Sequence, residues 1–223
     1  KLFAQGVLTT LLITLLSILF GTALGFGVYM LCRNGNPAAN LITRFFVWLV
    51  QGMPVVVLLM ILYYIIFAKS SIDGTAVAVI GFTLVFGAAV YGMLCSGVGA
   101  VPKGQTEAAY MVGLSFPQAL CRIVLPQAFK IAFPSLFNNL ISLLKDTSLA
   151  SSITVVELFT SAQQIAARTY EPFALYCEAA LIYLIFSTLL TWLQSYLEGK
   201  LVWKSRAAGD AAAQGRIKPI MGL

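Results

Sequence analysis

The sequence predicts an all-α integral membrane protein that crosses the bilayer five times. Three observations carry that expectation. Only 10% of the 223 residues are charged while 60% are hydrophobic, whereas a soluble domain of this length carries about 25% charged residues. Five apolar stretches, residues 7–32, 43–67, 75–98, 131–153 and 173–197, each supply the roughly 20 helical residues that cross about 30 Å of hydrocarbon. The cations between them alternate. Arg33, Arg44, Lys103, Arg122, Lys130, Lys200, Lys204, Arg206, Arg216 and Lys218 fall on one side, and Lys1, Lys69 and Arg168 on the other. Cytoplasmic loops collect the excess of Lys and Arg, so the N-terminus is expected outside and the C-terminus in the cytoplasm.

Residues 1–202 form one membrane domain on this reading, and 203–223 a small, polar, basic tail that is irregular or lies near headgroups. The net charge of +6 fits cytoplasmic loops beside anionic lipid and does not call for nucleic acid. Cys32, Cys95, Cys121 and Cys177 form no CxxC pair and histidine is absent, which leaves neither a metal site nor a disulfide framework to expect.

The elements follow in order. The first stretch is too long for a signal-peptide core and is expected to be a retained span. Its Gly21, Gly25 and Gly27 read as close-packing contacts. In the second, Gly52 and Pro54 imply a broken helix, which turns backbone groups beside Gln51 away from their own ladder. The third runs uninterrupted to the segment 101–130. The fourth carries Pro134, which frees backbone carbonyls, and polar groups at helical spacing: Asn138, Ser142 and Lys145 on one face, Asn139, Ser142 and Asp146 on the next. In the connection 151–170, Val155, Leu158, Phe159, Ala162, Ile165 and Ala166 recur as on a short amphipathic helix. From spacing alone an ordinary interfacial helix is the favoured explanation. The fifth stretch bears Glu178 within two turns of its outer end.

Segment 101–130 is the odd one, charged and punctuated between two apolar spans. "TEAAYMV" is a strong helix former, with Glu107 expected in its first turn near the positive end of the helix dipole. Gly113 stands where a helix stops in the left-handed conformation. Ser115 offers a new N-cap followed by Pro117, and Pro126 is expected to disturb the entry to the fourth span. The outcome is a rigid helix–turn–helix in water. Its Tyr110, Met111, Val112 and Phe116 are costly there unless a partner covers them.

Glu107-Ala108-Ala109, Gly113, Ile123 and Leu125-Pro126, at these spacings, resemble the EAA loop of membrane subunits of ABC importers. "VPKGQTEAA" (101–109), "LLKDTSLAS" (143–151) and "YEPFALYCEAALIYLIFS" (170–187) are similar to its polar amino-acid permease branch, of the histidine, glutamine and arginine type. The resemblance spans the chain from the first apolar stretch to about Val202. It implies a type I ABC importer permease fold in a bacterial inner membrane. It also implies three partners: a cytoplasmic ATPase dimer, a second permease subunit (identical or homologous) and an extracytoplasmic substrate-binding protein. ATP and Mg would sit in the ATPase, because "GAVPKGQT" (99–106) lacks the GxxxxGK[ST] spacing that cradles phosphate. The implied coupling residues are Glu107, Ala108, Ala109, Tyr110, Met111, Gly113, Ile123, Leu125 and Pro126.

Polar groups inside spans default to function. The expected pathway set is therefore Gln51, Gly52, Pro54, Asn138, Ser142, Asp146 and Glu178, with Asp146 facing the subunit interface. Gly92 and Cys95 join it because the family tends to carry an acid and an arginine where they stand, as it carries an arginine at Gln51. Helix–helix hydrogen bonding explains Asn138 and Ser142 equally well, and snorkelling explains Glu178. The cargo is expected to be an amino acid or similar small polar solute. The alternatives are another solute of the same machinery (an opine or peptide), a channel or secondary transporter, or an intramembrane enzyme. The last has no histidine, GxSxG or paired intramembrane aspartates to work with.

Overall fold

The computed structural model describes residues 1–33 and 35–214, with side chains as far as Lys200. Among them every regular element is helical. Nine α-helices follow one another: α1 (Leu2–Arg33), α2 (Pro37–Gly52), α3 (Val55–Ile61), α4 (Gly74–Gly99), α5 (Lys103–Met111), α6 (Phe116–Ala119), α7 (Leu125–Asp146), α8 (Leu158–Thr169) and α9 (Pro172–Gln214). Wider π turns extend α3 over Leu62–Ile66 and join α6 to α7 over Leu120–Val124, and a 3-10 turn continues α7 over Thr147–Ile153.

Four helical runs are long and apolar enough to cross a membrane singly: Leu2–Arg33, Gly74–Gly99, Phe116–Ile153 and Pro172–Lys200. The stretch 43–67 is not a straight fifth. α2 and α3 with its π turn meet at an angle of 109° and qualify only as a pair. The cause is local. Pro54 cannot donate a backbone hydrogen bond, and Met53 before it is extended at φ −119° and ψ 151°, the conformation proline imposes on its predecessor. α2 starts at Pro37 because the Asn36 side chain accepts from the backbone N–H of Ala38 (3.0 Å).

α1 and α4 pack closely through glycine. A Cβ on Gly25 would come within 2.6 Å of the Gly87 carbonyl oxygen and 2.7 Å of the Val90 Cβ, and one on Gly21 within 3.0 Å of Phe86. Small residues allow the backbones to approach where lipid supplies no hydrophobic drive between helices. Gly27 differs: a Cβ there meets nothing within 4 Å. Around this contact Ile13, Leu59, Val77, Phe82, Phe86 and Leu143 form the main core.

α8 is the short amphipathic helix expected in this connection. Leu158, Thr160, Ser161, Ala162 and Ala166 are buried where it packs between α1 and α9, while Gln163, Ala167 and Arg168 are exposed. Val155 precedes the helix rather than sharing its face, because Glu157 starts it. The tail, expected to be irregular or to lie near headgroups, continues α9 as helix to Gln214. Ala207, Ala208 and Ala211–Ala213 are strong helix formers. Arg216 and Lys218 lie outside the described residues.

Candidate functional site

The segment after α4 folds back on itself at one end of the bundle. α5 ends in a complete Schellman closure. The N–H of Gly113 donates to the Tyr110 carbonyl (3.0 Å) and that of Leu114 to the Ala109 carbonyl (3.1 Å), with Gly113 at φ +81°. These two bonds satisfy carbonyls a helix end would otherwise leave unpaired. α6 opens at Ser115, whose backbone N–H (2.9 Å) and hydroxyl (3.1 Å) both donate to Gln118 Oε1.

One expectation about this segment is corrected and another is met. Glu107 is not in the first turn of its helix, since α5 starts at Lys103 behind Pro102; the helix dipole therefore has little hold on it. Pro126 does disturb the entry to the fourth span, though without breaking the run Phe116–Ile153. The disturbance is a π turn: the Leu125 N–H reaches back five residues to the Leu120 carbonyl, and Pro126 then falls in the first turn of α7, where proline is tolerated.

The residues expected to couple divide by exposure. Glu107, Ala108 and Tyr110 face outward, and Met111 (88%) and Val112 (75%) are the most exposed apolar side chains of the hairpin. Ala109 is 1% exposed, on the side where α5 packs against the π turn. Ile123 and Leu125 are half-buried. Val101, Leu120, Val124 and Ala128 form a separate small core that seats the hairpin on the bundle.

A further tie comes from α1. The Arg33 guanidinium lies 4.4 Å from the centroid of the Phe116 ring, its Nη1 donates to the Tyr29 hydroxyl (2.8 Å), and its buried Nε has no partner. A cation over a ring contributes about 0.5–2 kcal/mol, depending on desolvation. Arg33→Ala and Phe116→Leu are each expected to loosen the hairpin by about 1 kcal/mol, and the double variant by no more than either. Hydrogen exchange of the amides of 103–125 measures both the loosening and the non-additivity.

The expected pathway residues lie on separate elements. Gln51, Gly52 and Pro54 are exposed at the α2–α3 break, Gly92 and Cys95 on α4, and Glu178 on α9, while Asp146 is half-buried at the end of α7. Asn138 and Ser142 share the exposed face of α7. Asn139 turns inward, where its Nδ2 donates to the Ser135 carbonyl (2.8 Å) and approaches Met93 Sδ of α4 (3.7 Å). Among the described residues no group of His, Cys, Asp or Glu is arranged to hold a metal.

At the opposite end from the hairpin, the structure assembles a network that sequence reading missed. Glu157, fully buried, accepts from the backbone N–H groups of Phe159 (2.8 Å) and Thr160 (2.7 Å). The Thr160 hydroxyl (2.9 Å) and the Tyr183 hydroxyl (2.9 Å) also donate to it. The Leu158 N–H donates to Thr10 Oγ1 of α1 (3.2 Å). Burial pushes the Glu157 carboxyl above its ordinary pKa, and the four donors pull it partly back. An acid just before a helical run is an N-cap signal; its tie to α1 and α9 left no trace in the local sequence.

The whole chain has relatives. Residues 17–203 match the family model "Binding-protein-dependent transport system inner membrane component". The chain is 37% identical to the L-cystine transport system permease protein TcyB of Bacillus subtilis (strain 168), over 90% of this chain and 86% of that one. It is 34% identical to an arginine transport system permease protein of Corynebacterium glutamicum, over 87% and 66%. A chain in the crystal structure of an amino acid ABC transporter with histidines superposes with a TM-score of 0.83 at 27% identity, covering 89% of this chain and 94% of that one.

Proposed function

The chain belongs to the family of binding-protein-dependent transport system inner membrane components, and from that premise we propose that it is the membrane-crossing subunit of an ATP-driven importer for amino acids. The cargo follows from the relatives, whose names specify L-cystine and arginine transport. The observation that carries the coupling is the hairpin. Its turn is rigidly closed at Gly113, its base is anchored in its own core, and it holds Met111 and Val112 almost fully in the open. Such apolar exposure marks a surface a partner covers.

The hairpin faces the cytoplasm, with the cation-rich connections, and the N-terminus lies outside. Glu107, Ala108, Tyr110 and Met111 seat against a cytoplasmic ATPase, one of a dimer that holds ATP and Mg. Closure of that dimer pushes on α5 and α6, and the continuous run from α6 through α7 carries the displacement across the bilayer. A second permease subunit completes the pathway, which alternates between inward- and outward-open states. A substrate-binding protein delivers cargo at the α8 end. The host is a bacterial inner membrane.

The test is reconstitution of the chain in proteoliposomes with its ATPase, companion permease subunit and substrate-binding protein. ATP-dependent accumulation of L-cystine, L-arginine or L-glutamine supports the reading. Accumulation of a peptide or opine alone keeps the importer and overturns the cargo. A chain that purifies without an ATPase and moves solute without ATP overturns the importer.

A further inference from the structure

Toward the hairpin end of the bundle, α1, α4 and α7 enclose a cavity of about 290 Å³, walled by Thr22, Phe26, Met93, Leu125, Phe129 and Ala132 among others. Among the described residues that line it none is charged, and Thr22 alone carries a hydroxyl. Such walls give a polar solute nothing to bind, whereas an alkyl chain gains by burial there. Phe26 and Phe129 are both exposed, so the cavity reaches the surface of the bundle.

Its depth matches one leaflet. On α1, Thr22, Phe26, Tyr29 and Arg33 recur at intervals of four, three and four residues and share one stripe. Arg33 ends the helix, and the rise from there to Thr22 is about 16 Å. Half of the hydrocarbon core is about 15 Å. The stripe therefore runs from headgroup level to the bilayer centre, with the cavity along its deeper part.

Arg33 supplies the polar end. Its Nη1 donates to the Tyr29 hydroxyl, its plane lies by the Phe116 ring, and its buried Nε has no partner. A desolvated cation with an unused donor calls for an anionic oxygen. The connections 33–44 and 101–130 hold Arg33, Arg44, Lys103, Arg122 and Lys130 against one acid, Glu107. Basic pockets between helices on the cytoplasmic side suit anionic headgroups.

We propose that this cavity takes one acyl chain of an anionic phospholipid from the cytoplasmic leaflet, with the lipid phosphate on the Arg33 guanidinium. The lipid thereby joins α1 and α7 to the base of the hairpin. The choice of leaflet rests on the reading of the chain as a permease with its hairpin in the cytoplasm.

The test uses the permease–ATPase complex, delipidated in detergent and titrated with phosphatidylglycerol or phosphatidylcholine of identical chains. Native mass spectrometry counts the bound lipid. The wild type is expected to retain at least fivefold more phosphatidylglycerol than phosphatidylcholine. Arg33→Gln is expected to bring that ratio within about twofold and Arg33→Lys to keep most of it. Arg44→Gln, at an exposed cation of α2, is expected to leave it unchanged. Ala132→Phe, which fills the cavity, is expected to lower retention of both lipids at least threefold. Equal wild-type retention of the two lipids overturns the proposal without any variant. A wild-type ratio in Arg33→Gln or a wild-type lipid count in Ala132→Phe also overturns it. Displacement of the lipid by equimolar glycerol 3-phosphate overturns it in favour of a soluble phosphate. No retained lipid at all overturns it and leaves the second permease subunit to cover the cavity. Retention is read without transport, so its failure leaves the importer standing. A chain that purifies without an ATPase fails the importer reading first, and the same titration then runs on the chain alone.

Discussion

Gly113→Val is expected to abolish ATP-driven uptake, by tenfold or more, while the membrane core keeps its melting temperature within a few degrees. At φ +81° an L-residue pays about 1–2 kcal/mol, and a β-branched one more. A Cβ at this position meets nothing within 4 Å, so the cost is conformational and not steric. The chain relieves it by rotating the turn, which breaks the bonds from Gly113 and Leu114 to α5 and re-aims Glu107, Tyr110 and Met111 relative to α6. Gly113→Asn is the control, because asparagine tolerates the left-handed region, and it is expected to keep most uptake. Uptake into proteoliposomes, with tryptophan fluorescence melting of the same samples, checks both halves. Equal uptake by the valine and asparagine variants would remove the turn from the coupling argument.

Glu157→Ala is expected to destabilise the folded chain by about 3 kcal/mol or more. Losing an N-cap costs about 1 kcal/mol, and leaving a buried donor without an acceptor costs about 1–3 kcal/mol each. The variant would strand the Tyr183 hydroxyl and the Thr160 N–H together. Glu157→Gln should fall between, since its NH₂ would face a cluster that is all donors. The wild type also carries a pH signature. Burial raises the folded pKa of Glu157 above its unfolded value, so the folded state holds the proton more tightly. Stability from this group is therefore greatest below the unfolded pKa and falls as pH rises through the window up to the raised value. Thermal melting in detergent across mildly acidic to neutral pH should show that slope in the wild type and lose it in Glu157→Gln.

Much of the coupling segment was legible because its rules are short-range. Gly113 needs its left-handed φ, and Ser115 its place before Pro117, for reasons contained within about four residues. Where local reasoning failed, it failed by a turn. Glu107 lies beyond the first turn because α5 already begins at Lys103, and the π turn by which the chain accommodates Pro126 has no distinct sequence mark. The pathway was less legible. Asn138 and Asn139 are neighbours of the same type, yet one is exposed on the polar line of α7 and the other turns in against α4. Gly25 admits no Cβ beside Gly87 and Val90, while Gly27, two residues on, has open space. Periodicity identified the faces; it could not tell which face meets which helix.

The sequence by itself determined the helical class, the apolar stretches, the break at Pro54 and the hairpin turn. Each depends on hydropathy or on backbone φ and donor rules, properties a residue shares only with its near neighbours. Only the tertiary structure decided the 109° bend of the second crossing, the burial of α8 and the role of Glu157. It also decided the meeting of Arg33 with Phe116. Those outcomes hinge on contacts between distant parts of the chain. The Leu158 N–H and the Thr10 hydroxyl that receives it stand 148 positions apart, and the Glu157–Tyr183 bond joins two helices packed side by side. Packing between distant parts of the chain decides which polar groups are buried together and which are left exposed.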